Sequence, residues 1–246
     1  MARRANGAPG WAAGLVPVVL AAALGAAGAA EKNVEKMAIP EKATIVFFGD
    51  SITHSGTVKN PEKRWPRLVE KRLRASGFDV TVIASGKPGQ TTGPALGRFD
   101  KDVIARRPDL VFIEYGCNDF WKRDGRNHQT PPDKFEANLK EMIRRVRTRT
   151  KAHVVLIRNH ARRYFMKAKA EGNYRYGDED YGEAIAKVAA ETKTPLLDML
   201  GPFLAEAARW KELYHDSVHL AEPGSVLYAK IAGDWLEKRL VKGRPR

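Results

Sequence analysis

The sequence predicts a three-layer α/β domain on a five-stranded, mostly parallel sheet, and two observations carry that reading. Five short runs rich in β-branched and aromatic residues are apolar at nearly every position, the pattern of strands covered on both faces. Between successive runs lie longer segments with apolar residues at helical spacing, and strand–helix alternation is the usual way to connect parallel strands.

In chain order, the first strand is expected over residues 44–49 (TIVFFG) and a helix over 61–76. The second strand, 80–85 (VTVIAS), runs into a glycine-rich loop and a helix over 94–106. The third, 110–116 (LVFIEYG), precedes a helix over 133–150. The fourth, 153–159 (HVVLIRN), precedes a helix over 180–192; a fifth, 195–199 (PLLDM), and a last helix, 223–240, complete the order. Two insertions, 120–132 and 162–176, follow the third and fourth strands. Both mix aromatic and basic side chains suited to sugar rings and acidic groups.

Composition narrows the possibilities. Among 246 residues there is one cysteine, Cys117, which excludes an intramolecular disulfide framework and a Cys-rich zinc site. No repeat of 20–50 residues is present, so solenoids and propellers are excluded. Residues 1–30 hold no acid and only Arg3 and Arg4 as bases, before the uncharged stretch WAAGLVPVVLAAALGAAGAA. A basic start, an apolar middle and small residues at the end form the pattern of a secretory signal peptide. The rival, a retained anchor, is disfavoured by Pro17 and the dominance of Ala and Gly, so no stable membrane insertion is expected after cleavage. The expected organisation is signal 1–30, linker 31–43, domain 44–242 and basic tail 243–246, exported to the periplasm or beyond.

Lys and Arg number 43 against 29 Asp and Glu, a formal charge of +14. Cleavage after Ala30 leaves 216 residues and, with only Arg3 and Arg4 lost, +12. Such a domain suits an acidic surface, for example a uronic-acid polysaccharide. Nucleic acid is not the expected partner. The densest basic run, 144–151, ends a predicted helix, where cations complement the helix dipole and face water.

Four motifs fall where open α/β sheets carry their functional residues, at the carboxyl ends of strands. After the first strand comes Gly49-Asp50-Ser51-Ile52-Thr53, with a serine at a strand-to-helix turn. After the second comes Gly86-Lys87-Pro88-Gly89-Gln90-Thr91-Thr92, and after the third Gly116-Cys117-Asn118-Asp119. Asp216-Ser217-Val218-His219 lies near the end, a carboxylate three residues before an imidazole that it can orient. Taken singly, the serine reads as a helix cap, the glycines as a turn and the Asn as a cap. The four together, in this order, form a specific signal.

On these blocks the chain resembles the SGNH, or GDSL, hydrolases, from Gly49 to His219. The resemblance implies a flavodoxin-like sandwich with strand order 2-1-3-4-5 that hydrolyses esters or thioesters. It makes Ser51 the nucleophile, His219 the base, Asp216 its orienting carboxylate, and Ser51 N–H, Gly89 N–H and the Asn118 amide the oxyanion donors. Gly86 is the alternative donor in its loop. One departure is Ala84, where many members carry Asn. The serine chemistry requires no metal and no organic cofactor. Asp50 is expected to brace the turn, Asp119 to hold the Asn118 loop, and Cys117 to be a buried small residue. Asn159, His160 and Trp121 are expected at the substrate, because they follow the fourth and third strands at the same edge. The expected activity is an exported esterase on short-acyl esters of carbohydrates. Its rivals are a lysophospholipase or thioesterase acting on longer chains, and a carbohydrate-binding protein without catalysis.

Overall fold

The computed structural model describes residues 35–122, 128–173 and 181–243. The expected signal peptide, 31–34 of the linker, 123–127 of the first insertion, 174–176 of the second with the following 177–180, and 244–246 of the basic tail lie outside the described residues. Five strands form the main sheet: β2 (Lys42–Gly49), β3 (Asp79–Gly86), β4 (Leu110–Glu114), β5 (His153–Arg158) and β6 (Leu196–Asp198). They lie in the order β3-β2-β4-β5-β6, and every neighbouring pair is parallel. The chain passes from β2 to β3 on one side and then crosses to β4 on the other. The crevice above the carboxyl ends of β2 and β4 is therefore the topological switch point, where such sheets bind ligands.

Alternate residues of each strand enter different cores, which explains the uninterrupted apolar runs. Ile45, Phe47, Leu110, Phe112, Val155 and Ile157 face one core. It is closed by Trp65, Val69 and Leu73 of α2 (Trp65–Ala75) and by Tyr228, Ala232 and Leu236 of α10 (Glu222–Glu237). Val46, Phe48, Val111, Ile113, Val154 and Leu156 face the other. That side is covered by α3 (Thr92–Asp102), α5 (Pro132–Arg149) and α7 (Gly182–Glu191). Arg72 pins the first pair of helices together, reaching from α2 to Asp234 and Glu237 of α10 at 2.6 and 2.5 Å. At the end of α5, Arg144 and Arg145 pair with Glu141, and Arg149 with Asp100.

The structure departs from the expected elements in two places. Residues 37–39, assigned to the linker, form β1 (Met37–Ile39), which pairs in parallel with β7 (Leu240–Lys242) in a separate two-stranded sheet. Met37 and Ile39 are buried in the first core, so the packed domain begins before residue 44. Five short helices also appear among the described residues: α1 (Ser51–His54) after β2, α4 (Cys117–Phe120) after β4, α6 (Arg163–Ala170) inside the second insertion, then α8 (Leu200–Ala205) and α9 (Trp210–Leu213). Three-residue strands and one- or two-turn helices carry too few residues to display a period. Among the described residues, no helix is long and apolar enough to cross a membrane.

Candidate active site

The site begins where β2 stops. Asp50 caps the one-turn helix α1 (Ser51–His54), its Oδ1 accepting the Ile52 N–H at 2.9 Å. Ser51 is therefore the first helical residue, and its N–H belongs to the turn that has no intrahelical partner. The helix is anchored from below, as Thr53 Oγ1 donates to Glu114 Oε2 and Trp65 Nε1 donates to the Ile52 carbonyl. Gly86 makes room for it: a Cβ there would stand 2.1 Å from the His54 nitrogen. That close approach, rather than oxyanion donation, explains this glycine.

The imidazole arrives from the loop between α9 and α10. Asp216 Oδ1 accepts the N–H groups of Val218 and His219 at 2.9 and 2.8 Å, which folds the loop back on itself. Its Oδ2 accepts from His219 Nδ1 at 2.7 Å, and His219 Nε2 lies 2.8 Å from Ser51 Oγ. Burial alone would raise the Asp216 carboxyl, but these two N–H groups and the imidazole outweigh it and hold it below the usual carboxylate range. The three-residue spacing of Asp216 and His219 is thus realised as an Asx-type loop.

A second segment holds that loop in place. His160 donates from Nε2 to the Val218 carbonyl at 3.0 Å, Arg163 N–H donates to the Ser217 carbonyl at 2.9 Å, and the Tyr214 hydroxyl donates to the Ala161 carbonyl. His160 is buried, and desolvation lowers its pKa to about 4 despite the bond to Val218, so it is neutral at physiological pH. Asn159 is buried as well, its Nδ2 donating to the Tyr115 carbonyl at 3.1 Å. Both were expected at the substrate. The structure instead buries both, Asn159 against the turn after β4 and His160 under the 214–219 loop. Strand position alone does not reveal that burial.

Asn118 reaches Asp50 beside the serine, and the Gly89 turn meets Asn118 through the Gln90 carbonyl. Pro88 and Gly89 occupy the centre of a turn closed by the Gln90 N–H to the Lys87 carbonyl at 3.3 Å. Gly89 has φ +71°, in the left-handed region that this Pro-Gly turn demands, and a Cβ there would meet nothing within 4 Å. Its requirement for glycine is conformational. The turn's hydrogen bond uses Gln90, so the Gly89 N–H lies on the central peptide outside that bond. Asn118, in α4 (Cys117–Phe120), donates from Nδ2 to Asp50 Oδ2 at 2.9 Å and to the Gln90 carbonyl at 3.3 Å. Asp119 reaches the same loop, accepting from the N–H and hydroxyl of Thr92 at 2.9 and 2.6 Å.

Three carboxylates are buried beneath this constellation. Burial pushes Asp50 up to about 7, assisted by Asp119 and opposed chiefly by the Ile52 N–H. Glu114 is raised by burial and by Asp50, and Asp119 by burial. Sequence reading gave Glu114 no role, since it stands inside a strand run. A charged residue in an otherwise apolar buried strand was the available signal.

A cavity of about 290 Å³ opens beside Gly89 and Asn118, walled by Trp121, Gln129, Arg162 and Val218. Trp121 is 51% exposed, with the Arg162 guanidinium 5.3 Å from its ring centroid. Of the three expected substrate contacts, only Trp121 lines it. Cys117 is buried at its floor. His54 and His215 are exposed, His54 lining a separate cavity with Arg64 and Ala84.

Comparison with known proteins identifies the family. Residues 47–227 match the model of the GDSL-like Lipase/Acylhydrolase family. An arylesterase from Vibrio mimicus is 29% identical over 198 residues, covering 80% of this chain and 89% of that protein. An acetylxylan esterase from Geobacillus stearothermophilus is 24% identical, covering 82% of this chain and 100% of that protein. Among solved structures, an acetyl xylan esterase superposes with a TM-score of 0.65 at 25% identity, covering 78% of this chain and 98% of that one. The matched span holds all four sequence blocks and the crevice where the fold joins them, and the chain accordingly belongs to the GDSL-like lipase/acylhydrolase, or SGNH, family of carboxylic ester hydrolases.

Proposed function

We propose that this esterase works through an acyl-serine intermediate, with Ser51 as nucleophile, and that it is exported to remove short acyl groups, chiefly acetyl, from carbohydrates. The observation that carries the mechanism is the unbroken chain from Ser51 Oγ to His219 Nε2 (2.8 Å) and from His219 Nδ1 to Asp216 Oδ2 (2.7 Å). His219 takes the Ser51 proton as the hydroxyl attacks the ester carbonyl, then returns it to the leaving alcohol. Asp216 keeps the Nδ1 proton in place and offsets the imidazolium charge. The tetrahedral oxyanion meets the N–H groups of Ser51 and Gly89 and the Asn118 amide. Asn118 exchanges its longer bond, to the Gln90 carbonyl, for one to the oxyanion while keeping Asp50. Water then cleaves the acyl-enzyme by the same proton route.

For the substrate, the supporting observation is the cavity beside Asn118. Its Trp121 face and Arg162 and Gln129 edges suit a sugar ring better than an alkyl chain. Relatives named as acetylxylan esterases point the same way. Export rests on the signal-like residues 1–30. The test is hydrolysis of p-nitrophenyl acetate, butyrate, octanoate and palmitate by wild type and Ser51→Ala. Turnover that disappears in the variant and declines with chain length is expected. Activity retained in Ser51→Ala overturns the nucleophile, and a maximum at the long esters replaces the carbohydrate reading with a lipid-directed one.

A further inference from the structure

We infer that Arg98, on the far side of the sheet edge from the Asp216–His219 loop, is the positioning residue for the oxyanion donors; this rests on the serine mechanism proposed above. Its guanidinium is a hub at the carboxyl ends of three adjacent strands. Nη2 donates to the Gly49 carbonyl at 2.9 Å, two residues before Ser51, and to the Tyr115 hydroxyl at 2.8 Å, where β4 leads into α4. Nη1 donates to Ser85 Oγ at 2.9 Å, near the end of β3. Nε donates to Gln90 Oε1 at 2.5 Å, on the residue after Gly89. Phe48 lies under the guanidinium, its centroid 4.2 Å from Cζ, and Asp102 pairs with Nη1 from the next turn of α3.

Each branch ends beside a different donor. The Gly49 carbonyl fixes the strand end that presents the Ser51 N–H, and it is held by three donors: Arg98, the Tyr115 hydroxyl and the Lys87 N–H. The Gln90 side chain fixes the turn that carries Gly89, and the Gln90 carbonyl is the resting partner of Asn118 Nδ2. The three donors thus come from three separate loops, and one side chain sets their spacing. The Arg98 side chain is only 15% exposed, so these bonds are made with little competition from water. A planar guanidinium with five N–H groups can serve these five acceptors from one fixed fork. A lysine ammonium has three donors on one atom and cannot span them.

Arg98 touches neither the nucleophile nor the base, so its effect is confined to stabilising the transition state. Arg98→Lys is expected to lower kcat on p-nitrophenyl acetate by about 10–100-fold, less than outright loss of an oxyanion donor. KM and the shape of the pH–rate profile are expected to stay put. Affinity for a tetrahedral boronic-acid mimic should fall by the same factor as kcat. The second variant is Gln90→Met, which keeps shape and removes the acceptor of the Arg98 Nε bond. It should lower kcat in the same manner, and the double variant should lose less than the product of the single losses, because both act through one loop. Independent, multiplicative losses, or a drop in KM-determined binding with kcat intact, would overturn the assignment. An Arg98→Lys enzyme as fast as wild type would overturn the clamp alone, and the same holds for Gln90→Met if the lysine variant does not fold. A wild type that turns over no ester would instead overturn the proposed mechanism, and the clamp with it.

Discussion

Replacing Asp216 with Asn separates orientation of the imidazole from mere contact with it. In the native site, Oδ1 of Asp216 is held by two backbone N–H groups, while Oδ2 receives the Nδ1 proton of His219. An asparagine keeps its single oxygen on the two N–H groups, since losing both would unfold the loop. Its NH₂ then faces Nδ1, and two donors cannot share one gap. The imidazole relieves the conflict by moving its proton to Nε2, where it points at Ser51 Oγ and leaves no lone pair to take the serine proton. The same exchange at a buried triad aspartate costs about 10⁴ in kcat. Here the Asp216 side chain is 45% exposed, so water can enter the gap between the amide and Nδ1, relieve the clash of donors and repopulate the working tautomer. The expected loss is therefore about 10²–10³ in kcat, or about 3–4 kcal/mol of transition-state stabilisation. The assay is steady-state hydrolysis of p-nitrophenyl acetate beside a thermal melt. KM and melting midpoint should stay close to wild type, because the shape of the residue and both backbone bonds survive. A folded Asp216→Asn enzyme with kcat within about threefold of wild type would refute the tautomer argument.

Further expectations follow from the same geometry. Asn118→Ala should lower kcat by about 10²–10³ with a much smaller change in KM, the signature of a contact strengthened in the transition state; equal kcat with raised KM would make Asn118 a substrate-binding residue. His160→Phe leaves the Val218 carbonyl buried without its donor, at a cost of about 1–3 kcal/mol in stability. Urea melts should show that cost together with a fall in kcat, and an unchanged kcat would separate the segment after β5 from His219. Asp50, raised by burial from 3.8 to about 7, holds its proton in the folded state across a window where the unfolded chain has lost it. Its contribution to stability is therefore full below pH 4 and declines as pH rises toward 7. The stability of wild type relative to Asp50→Asn, read from urea melts across that range, should fall with pH, and a flat difference would contradict the shift. Chelator treatment should leave ester hydrolysis intact, and activity lost and then restored by a divalent ion would contradict a serine mechanism free of metal.

The sequence by itself determined the layers and the chemistry. Doubly covered strands show as unbroken apolar runs, because each of Ile45, Val46, Phe47 and Phe48 enters one core or the other. The places of Ser51, Gly89 and Asn118 at one sheet edge were legible because each follows a strand of a parallel sheet, and parallel strands deliver their ends to one edge; the roles given them came from the resemblance of their blocks to the family. Asp216 and His219 were legible because three residues separate them, so their pairing is local. The tertiary structure decided what depends on contacts distant in sequence. β1 exists only because β7, about two hundred residues later, supplies its partner. Asn159 and His160 occupy the position of substrate contacts in the strand pattern, yet both are buried, Asn159 against the turn after β4 and His160 against the 214–219 loop. Arg98 reads as an ordinary helix arginine until folding brings Gly49, Ser85, Gln90 and Tyr115 around it. A single sequence carries periodicity and local spacing. It does not carry the direction of a buried side chain, which is fixed by hydrogen-bond partners and packing that arrive from distant parts of the chain.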